Sequence, residues 1–559
     1  HGILFFWIFH QTYSKNSTFI NKHLPDLKIK FYFAFKMKSN YFIPLFLILI
    51  LSCAKRGIPE GGDKDEIAPK FVKAQPENNS IFFNDKKIRI YFDEYIKLDK
   101  LSSQLVVSPP IEKFNYSIFP QGGASKFIDI EINEKFQDNT TFVFNFGESI
   151  KDNNEGNLLP YFKYVFSTGS YIDSLELKGN INSAYNRKQD DFITAMLYPL
   201  NEKFNDSTVF KEKPLYVAST LDSTFFNFTN LKKGSYKLLA IKDSNNNYIF
   251  DPLNEKIAYE DTIINIPSDK VFYLDLFEEI PSYKVYKPYQ EFSNKISFGF
   301  RGNIDSLKIL SNSEKSKSII TKERDKDTLH YWFRNFEHDT LKFTLKNIDT
   351  INYYKIPNKD FENDTLIISE KNSSFNLGDK FILNSTIPLK NIDSSKINII
   401  NKDSTSQTFK SEIENGIDIV FDFEIIPNDK YFIKILPDGI IDFFGNSTDT
   451  LNYSFTTKKR SDYGNIFINL SSISFKPIIV DLIDMNEKII KSRNLTNSFQ
   501  ACVFENITPG DYNLRLIHDK NKNGKWDTGD YLRRVKPEKV IHYNDTIKVR
   551  ANWIIREKI

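Results

Sequence analysis

Hydrophobic and polar residues alternate with a period of two over most of the chain beyond residue 68. Ile88, Ile90 and Phe92, for example, are separated by more polar residues, and clusters of Gly, Asn and Asp, as at 152–157, interrupt such runs. Successive side chains of a β-strand point to opposite faces, so a strand that buries one face shows this alternation. No long stretch carries the 3.6-residue periodicity of an amphipathic helix. The pattern predicts an all-β fold of tandem β-sandwiches.

One segment of the sequence occurs twice. LKKGSYKLLAIKDSNNNYIFDP begins at Leu231 and ITPGDYNLRLIHDKNKNGKWDTGD begins at Ile507, so that matching residues lie 276 positions apart. A looser pair joins residues 139–169 to residues 428–458 once small gaps are allowed. Self-similarity of this kind indicates a repeated structural unit. The sequence therefore predicts the order A–B–middle–A′–B′, in which A and B are different sandwiches.

An apolar run near the N-terminus is typical of an export signal. The first methionine is Met37, so we expect translation to begin there and residues 1–36 to be a non-native upstream extension. Lys38 precedes an uncharged run at 41–51. This run is shorter than the ~20 residues that cross a bilayer core, and it has the length of the apolar part of a signal peptide. An ordinary cleaved signal peptide and a short buried segment are the alternatives.

The run ends in I-L-S-C at residues 50–53, which resembles the lipobox of bacterial lipoproteins. The resemblance implies that residues 37–52 are removed as a lipoprotein signal peptide and that Cys53 becomes the lipid-bearing N-terminus. Residues 53–67 are polar and contain Gly and Pro, so we expect a flexible tether. Ala54 stands where some bacteria place an Asp that retains lipoproteins in the inner membrane. We therefore expect an outer-membrane lipoprotein, facing the periplasm or exposed at the cell surface.

The repeated units resemble two families of β-sandwich. The first A unit carries A-P at 68–69, F-D-E at 92–94 and S-P-P at 108–110, and it resembles the SbsA-type Ig-like domain of bacterial surface proteins. The B units, through P-G-D-Y at 509–512, resemble transthyretin-like or Cna B-type sandwiches. The whole arrangement resembles Ig-like-domain lipoproteins of the Bacteroidota. No motif of either family is found in residues 280–368.

These resemblances imply a succession of modules along the chain. They are a signal peptide at 37–52, a tether at 53–67, an SbsA-type Ig-like domain at 68–170, a transthyretin-like sandwich with an Asx-rich loop at 171–279, a β-rich middle module at 280–368, a second, degenerate Ig-like domain at 369–458, and a transthyretin-like sandwich with a candidate calcium loop at 459–559.

The Asx-rich loop of the last module is the best candidate site. The predicted calcium ligands are the side chains of Asp519, Asn521, Asn523, Asp527 and Asp530 and the backbone carbonyl of Lys525. Ca²⁺ binds six to eight oxygens, and a glycine in the sixth position of the loop permits a sharp turn. The pattern resembles the loops of EF-hands and dockerins, with a shorter last ligand that implies weak affinity. The alternative is an Asx-turn loop without metal.

The matching loop of the first B unit is a weaker candidate. Its predicted ligands are Asp243, Asn245, Asn247, Asp251 and Asn254. Tyr248 replaces the glycine, which disfavours a left-handed turn, and one carboxylate fewer is present. We expect this loop to fold without metal.

Composition excludes several other classes of protein. Two cysteines rule out a disulfide-stapled fold and a Cys-rich zinc site, and Cys502 is expected to be a small core residue. The net charge of +3 comes from dispersed Lys and Arg, so we expect no nucleic-acid partner. No H-E-x-x-H, G-x-S-x-G or P-loop motif is present. The pairs Asp93-Glu94 and Asp152…Glu155 could act in acid–base chemistry, but they coincide with motif positions of the Ig-like domain.

The sequence therefore predicts a non-catalytic envelope lipoprotein that serves as a structural or interaction module. Its expected partners are the membrane, through the lipid, and envelope proteins or glycans. One alternative is a glycan-binding surface lipoprotein associated with polysaccharide uptake, for which Trp332, Trp526 and Trp553 could stack on sugars. A second alternative is a hydrolase whose site lies between domains.

Overall fold

The computed structural model describes residues 64–559, apart from short stretches at 203, 281–282, 303, 305–306, 313–317, 324–325, 335–338, 348–349, 372–374, 475 and 497–500. The structure discussed below belongs to the compact unit Glu66–Ile559. The predicted extension, the signal peptide and Cys53 lie outside the described residues, as does most of the tether. Within the described part, no helix is long and apolar enough to cross a membrane. The predicted fold class, all-β with tandem β-sandwiches, is confirmed.

The first sandwich follows the tether. Its elements are β1 (Phe71–Gln75), β2 (Lys87–Leu98), the helical turn α1 (Leu101–Gln104), β3 (Val106–Ser108), a 3-10 turn (Lys113–Asn115), β4 (Tyr116–Phe119), β5 (Ser125–Ile132), β6 (Thr141–Asn145), β7 (Ile150–Asp152), β8 (Leu158–Leu159) and β9 (Lys163–Ser167). One sheet has the order β4-β5-β2-β7-β8, with β1 also paired to β2, and the other has the order β3-β6-β9. Alternate residues such as Ile90 and Ile130 are fully buried in the core.

In the second sandwich, four neighbouring strands are buried on both faces. Its elements are β10 (Leu175–Ser183), β11 (Thr194–Pro199), a 3-10 turn (Asp206–Phe210), β12 (Tyr216–Ser219), β13 (Phe225–Leu231), β14 (Gly234–Ile241), β15 (Lys256–Tyr259), β16 (Ile264–Ile266) and β17 (Val271–Glu278). The strands follow the order β12-β11-β14-β15-β17-β10-β13, with β16 paired to β14 and with β10 parallel to β17. In β11, Ala195 and Leu197 face the sandwich core, while Met196 and Tyr198 pack into a second apolar cluster on the other face.

The third sandwich occupies the segment without family motifs. Its strands are β18 (Lys284–Val285), β19 (Tyr289–Phe292), β20 (Lys295–Arg301), β21 (Lys308–Ser311), β22 (Ser318–Lys322), β23 (Thr328–Phe333), β24 (Thr340–Lys346) and β25 (Ile351–Pro357). One sheet has the order β18-β20-β23-β22, with β19 paired to β20, and the other has the order β21-β24-β25. Tyr331 and Phe343 pack together in the core between them.

The fourth sandwich has the strand order of the first. Its elements are β26 (Ile368–Glu370), β27 (Phe381–Ser385), β28 (Leu389–Ile392), a 3-10 turn (Ser394–Lys396), β29 (Ile397–Ile400), β30 (Phe409–Glu414), β31 (Asp418–Phe423), β32 (Lys430–Ile435), β33 (Ile440–Asp442) and β34 (Leu451–Thr456). The sheets are β26-β27-β31-β30, β28-β33 and β29-β32-β34. Strand by strand they correspond to β1-β2-β5-β4, β2-β7 and β3-β6-β9. Ile368, the last residue of the predicted middle module, already packs in the core of this sandwich.

The fifth sandwich has the strand order of the second. Its elements are a 3-10 turn (Arg460–Asp462), β35 (Gly464–Asn469), β36 (Ile478–Asp484), β37 (Ile489–Leu495), β38 (Ala501–Ile507), β39 (Gly510–His518), β40 (Val540–His542), β41 (Ile547–Val549) and β42 (Ile554–Lys558). The sheets are β38-β35-β42, with β35 parallel to β42, and β37-β36-β39-β40, with β41 paired to β39. The repeats seen in the sequence are thus repeats of topology.

Candidate functional site: the two Asx-rich loops

The second Asx-rich loop connects β39 to β40 and begins at Asp519, which is buried. The Asp519 carboxylate accepts the backbone N–H groups of Asn523 and Gly524, each at 3.0 Å. Lys522 and Gly524 both have a left-handed backbone, with φ of 66° and 76°. Side chains of Asp and Asn commonly bond to the backbone a few residues ahead in this way. The loop is therefore wound around the carboxylate of its first residue.

The remaining oxygen-bearing side chains converge on Asp527. Asn521 and Asn523 donate from their side-chain nitrogens to Asp527 Oδ2 at 2.5 and 2.8 Å. The Glu538 carboxylate accepts the N–H of Lys520 at 2.7 Å and that of Asp527 at 3.2 Å. Glu538 therefore closes the loop at its far end. It was not among the residues that the sequence predicted.

Two further predicted ligands, Asp530 and Lys525, do not donate to or accept from Asp527 in the way described above. The carboxylate of Asp530 accepts the N–H of Arg533 at 2.8 Å and lies 3.6 Å from the Arg533 guanidinium, while its backbone pairs with Val535. These contacts are outside the group formed by residues 519 to 527. Lys525 donates its backbone N–H to Asn523 Oδ1 at 2.8 Å, so its peptide lies at the turn of the loop.

The first Asx-rich loop has nearly the same hydrogen bonds. Asp243 accepts the N–H groups of Asn247 at 3.2 Å and Tyr248 at 2.9 Å, and Asn245 also accepts the Asn247 N–H at 3.0 Å. Tyr248 adopts the left-handed conformation, with φ of 60°, although it is not glycine. The sequence predicted that a tyrosine at this position disfavours the left-handed turn, yet the turn forms with Tyr248 in place. Phe250, which packs in the second apolar cluster, holds the end of the loop on the sheet.

A buried glutamate closes this loop as well. Glu255 accepts the N–H groups of Ser244 and Asp251, each at 3.0 Å, as Glu538 does in the other loop. Asn254, a predicted ligand, donates to Asp251 at 2.6 Å and accepts from Arg301 of the third sandwich at 2.9 Å.

Both loops bring carboxylates together, and the second loop also contains Lys520, Lys522 and Lys525. Burial raises the pKa of Glu255, and the carboxylates of Asp243 and Asp251 act in the same direction, against the two backbone hydrogen bonds. In the described part of the chain, no Lys or Arg forms an ion pair with the carboxylates of Asp243, Asp251, Glu255, Asp519, Asp527 or Glu538. Among the same residues, no group of three or more His, Cys, Asp or Glu side chains is placed to hold a metal. Any cation in these loops would thus depend on amide and backbone oxygens as well.

The two loops differ by an insertion. Glu255 follows Asp251 by four residues, whereas Glu538 follows Asp527 by eleven. The extra segment, residues 528–534, is called the clasp here because it docks on the second sandwich. Tyr531 of the clasp is fully buried among residues of the second sandwich.

Polar contacts fix the clasp in place. The Tyr531 N–H donates to Glu279 at 2.5 Å, and the Thr528 hydroxyl donates to the carbonyl of Glu278. Arg534 forms an ion pair with Asp206. The Asx-rich loop of the fifth sandwich is therefore bound to the second sandwich through the clasp.

A second set of contacts joins the same two sandwiches. The rings of Tyr185 and Trp526 lie 4.5 Å apart, and the guanidinium of Arg515 lies 3.8 Å from the centre of the Tyr185 ring. Arg515 is 1% exposed and is paired with Asp481 at 2.9 Å. A buried charge of this kind needs such a partner. Arg187 donates to Asn513 and to two backbone carbonyls of the fifth sandwich.

The candidate acid–base pairs have structural contacts. Asp152 is buried, and its carboxylate accepts the N–H groups of Asn154, Glu155 and Asn157 at 2.7 to 2.8 Å. Burial alone would raise the pKa of Asp152, yet these backbone bonds hold it below its ordinary value. Asp93 accepts the N–H of Lys70 at 2.7 Å. Both carboxylates act as acceptors for the backbone.

A serine–histidine–carboxylate contact occurs in the third sandwich. Ser297 Oγ lies 2.9 Å from His330 Nδ1, and His330 Nε2 lies 3.3 Å from Glu323. Cross-strand pairing brings Ser297 opposite His330, which sequence spacing does not reveal. Ser297 is 0% exposed, so no substrate reaches its hydroxyl in this structure. A nucleophile needs such access.

The tryptophans and the cysteine have different surroundings. Trp332 is buried and donates to Thr321 at 2.9 Å, Trp526 is half-buried in the contact described above, and Trp553 is 57% exposed. The three do not form one platform. Cys502 packs in the core of the fifth sandwich, and burial raises the pKa of its thiol to about 11.

Comparison with known proteins identifies one domain. Residues 65–168 match the bacterial Ig-like domain family. The matched stretch contains the whole first sandwich, β1 to β9, so the A unit is an Ig-like domain. Asp152 and the turn that it holds belong to this Ig-like domain.

Several solved structures match the chain at low sequence identity. The S-layer protein rSbsC(31-844) is 12% identical over 86% of this chain and 67% of its own, with a TM-score of 0.15. Domains 1-6 of SbsC are 9% identical over 81% and 66%, also at 0.15. BcpA, the major pilin subunit of Bacillus cereus, is 10% identical over 69% and 99%, at 0.13. The chain spans about two thirds of the S-layer structures, and these TM-scores are too low to support an argument. No curated protein matches the chain.

Proposed function

We propose that this chain is a non-catalytic lipoprotein of the bacterial envelope, anchored by a lipid on Cys53 and serving as a structural or interaction scaffold at the outer membrane or cell surface. The observation that carries the proposal is a lipobox-like sequence followed closely by an Ig-like domain of a bacterial family. The sandwiches that follow would project from the membrane as one body.

Contacts between neighbouring sandwiches support a stiff scaffold. Thr141 and Asp173 exchange two buried hydrogen bonds of 2.9 Å where the first sandwich meets the second. Leu377 donates its N–H to the Tyr463 hydroxyl at 3.2 Å where the fourth meets the fifth. Buried polar contacts of this kind specify one geometry. A scaffold that transmits position or force needs such junctions.

The lipid anchor can be tested with the two cysteines as matched partners. Cys53→Ala removes the thiol that would carry the lipid, so the protein should move from the membrane fraction to the soluble fraction. Cys502→Ala changes a core residue far along the chain and should leave the protein in the membrane fraction. If Cys53→Ala still sediments with membranes, the proposed anchor is wrong.

Calcium is proposed to stiffen the loop that carries the clasp. Asp519, Asn521, Asn523 and Asp527 supply oxygens, as does Glu538 at the end of the loop. The two amides now present nitrogen to Asp527, and rotation of each amide about its terminal bond would present oxygen to an ion instead. Oxygen is the ligand that Ca²⁺ prefers. The first loop, whose fifth predicted ligand bonds to Arg301, remains the weaker candidate.

Melting temperature in the presence and absence of Ca²⁺ tests this proposal. Binding to the folded state alone raises stability, so Ca²⁺ should raise the melting temperature, and Asp519→Ala and Glu538→Ala should each remove most of the rise. Asp530→Ala is the matched control, because Asp530 bonds to Arg533, and it should keep the rise. An unchanged melting temperature in the unaltered protein would refute calcium binding.

A further inference from the structure

The sheet β21-β24-β25 of the third sandwich turns one face to solvent, and this face is basic. Along β24, Leu341, Phe343 and Leu345 point into the core, so the residues between them point outward. The three strands contain no Asp or Glu. Their outward side, called the lysine face here, carries four exposed lysines, which are Lys308, Lys342, Lys346 and Lys355.

Strand pairing places these lysines directly opposite one another. Lys308 on β21 pairs with Lys346 on β24, and Lys342 on β24 pairs with Lys355 on β25. The Cβ atoms of directly opposed residues lie roughly 4.5 to 5.5 Å apart, and like charges in this position destabilise a sheet. In the described part of the chain, none of the four lysines takes part in an ion pair. The lysine face therefore carries a repulsion that the fold does not require.

The first sandwich shows how this chain arranges charges on a sheet that only meets water. There, Arg89 lies opposite Asp129 across β2 and β5, and the two side chains form an ion pair at 2.6 Å. Lysines on an edge strand can also protect it from pairing with another chain, but Lys342 and Lys346 lie on β24, between the two edges. An anionic partner would relieve the repulsion and so explains the lysine face better than either structural reason.

Exposed apolar side chains lie among the lysines. Leu310 and Tyr353, which are 47% and 75% exposed, both pair with Thr344 in the row between the two lysine pairs. Ile351, 50% exposed, lies opposite Lys346. A soluble anion is recognised by charge and hydrogen bonds, to which Leu310 and Ile351 contribute nothing. The interface of a lipid bilayer takes in apolar and aromatic side chains, while lysines beside them reach the headgroups.

We propose that the lysine face docks on an anionic lipid surface. The four ammonium groups contact headgroup phosphates, and the apolar row between the lysine pairs enters the bilayer interface. This inference goes beyond the proposed scaffold function, because it gives the third sandwich a membrane contact that does not depend on the lipid at Cys53. The docking is reversible and is screened by salt, so a salt wash separates it from a lipid anchor.

Vesicle flotation tests the proposal with the chain from residue 54 onward. This protein keeps the compact unit Glu66–Ile559 and lacks Cys53, so its result is independent of the proposed anchor. It should float with vesicles of phosphatidylcholine and phosphatidylglycerol in equal parts, and much less with phosphatidylcholine alone. Binding should weaken as salt is added.

Paired substitutions locate the contact. Lys342→Gln with Lys346→Gln should weaken binding to the anionic vesicles about 25-fold, because each lysine near an anionic surface contributes about fivefold. Lys87→Gln with Lys410→Gln is the matched control. It removes the same charge from exposed strand positions, but each of these lysines lies opposite an acidic residue. The control should change binding less than twofold.

Two further measurements complete the test. Because the substitution of Lys342 and Lys346 relieves repulsion, this variant should melt no lower than the parent, so a loss of binding is not a loss of fold. Tyr353→Ser, at an exposed position, should weaken vesicle binding several-fold and serves if the lysine variant does not fold. Equal binding to neutral and anionic vesicles, or binding that survives both sets of substitutions, would overturn the proposal. Binding to soluble polyphosphate without binding to anionic vesicles would overturn the choice of a lipid surface.

Discussion

At the residue scale, one buried aspartate organises each of two related sandwiches. Asp152 in the Ig-like domain and Asp442 in the fourth sandwich are both buried and both accept backbone N–H groups of the turn that follows. Both residues lie in an I-x-D…G-N pattern, at 150–157 and at 440–446, within the looser of the two sequence repeats. A carboxylate that satisfies several backbone donors holds its turn in place, which gives the pattern a structural reason to recur.

Asp152→Ala should destabilise the Ig-like domain by about 2 kcal/mol, because buried backbone donors lose a charged acceptor. Urea unfolding measures this difference. Since the folded-state pKa of Asp152 is lowered, its contribution is present above its ordinary pKa of 3.8 and is lost as the pH falls. The difference in free energy of unfolding between the variant and the parent should therefore become smaller in strong acid. Asp93→Ala, at an exposed acceptor, is the control, and an equal loss from both would contradict the account.

His330 should make the third sandwich sensitive to mild acid. Burial lowers the pKa of His330, and Lys295 lowers it further, against the opposite effect of Glu323 and Glu291. The folded state therefore favours the neutral ring, so stability is present above pH 6.5 and is lost as the pH falls through that value toward the folded-state pKa. Amide exchange in β20 and β23 should accelerate between pH 7.5 and pH 5.5.

His330→Gln should remove most of this pH dependence from β20 and β23. His542 is a useful comparison, because burial also lowers its pKa but it lies in the fifth sandwich. His542→Gln should leave exchange in the third sandwich as it was. Unaltered pH dependence in His330→Gln would show that another group is responsible.

At the scale of the element, the clasp distinguishes the second Asx-rich loop from the first and binds the fifth sandwich to the second. The two Asx-rich loops begin with matching residues, Asp243 and Asp519, and the sequence predicts this match through the constant offset of 276 positions. Glu538 escaped prediction because seven inserted residues break that offset. The pattern Glu-Lys-Ile at 255–257 and Glu-Lys-Val at 538–540 was the available signal. The docking of the insertion on another sandwich could not be predicted, because it depends on the arrangement of whole modules.

Tyr531→Ala should loosen the fifth sandwich from the second. The ring is fully buried and lies 5.3 Å from that of Tyr259, and truncating a buried aromatic side chain costs about 3 to 5 kcal/mol. Urea unfolding and limited proteolysis of the clasp measure the effect. Leu532→Ala, at a neighbouring residue that is 57% exposed, should change little. Equal behaviour of the two variants would argue against a docked clasp.

At the scale of the whole molecule, the alternating pattern predicted the β-sandwich architecture, and the repeats predicted which sandwiches share a topology. The third sandwich was visible only as strands, because it carries no motif. The contact between Ser297 and His330 could not be predicted either, since those residues lie 33 positions apart and are brought together by the pairing of β20 with β23. Tertiary contacts, rather than local propensity, determine such sites.

The scaffold proposal depends on where the body of sandwiches is attached. Five sandwiches with joined interfaces could serve equally well in a secreted protein, and only the lipid distinguishes an anchored scaffold from a diffusing one. Residue 53 is separated from β1 by 17 residues of sequence.

Mass spectrometry of the mature N-terminal peptide, from protein purified out of the membrane fraction, tests the central claim most directly. The account predicts that Cys53 is the first residue and that it carries covalent lipid. An unmodified Cys53, or a peptide that still contains residues 37–52, would contradict it.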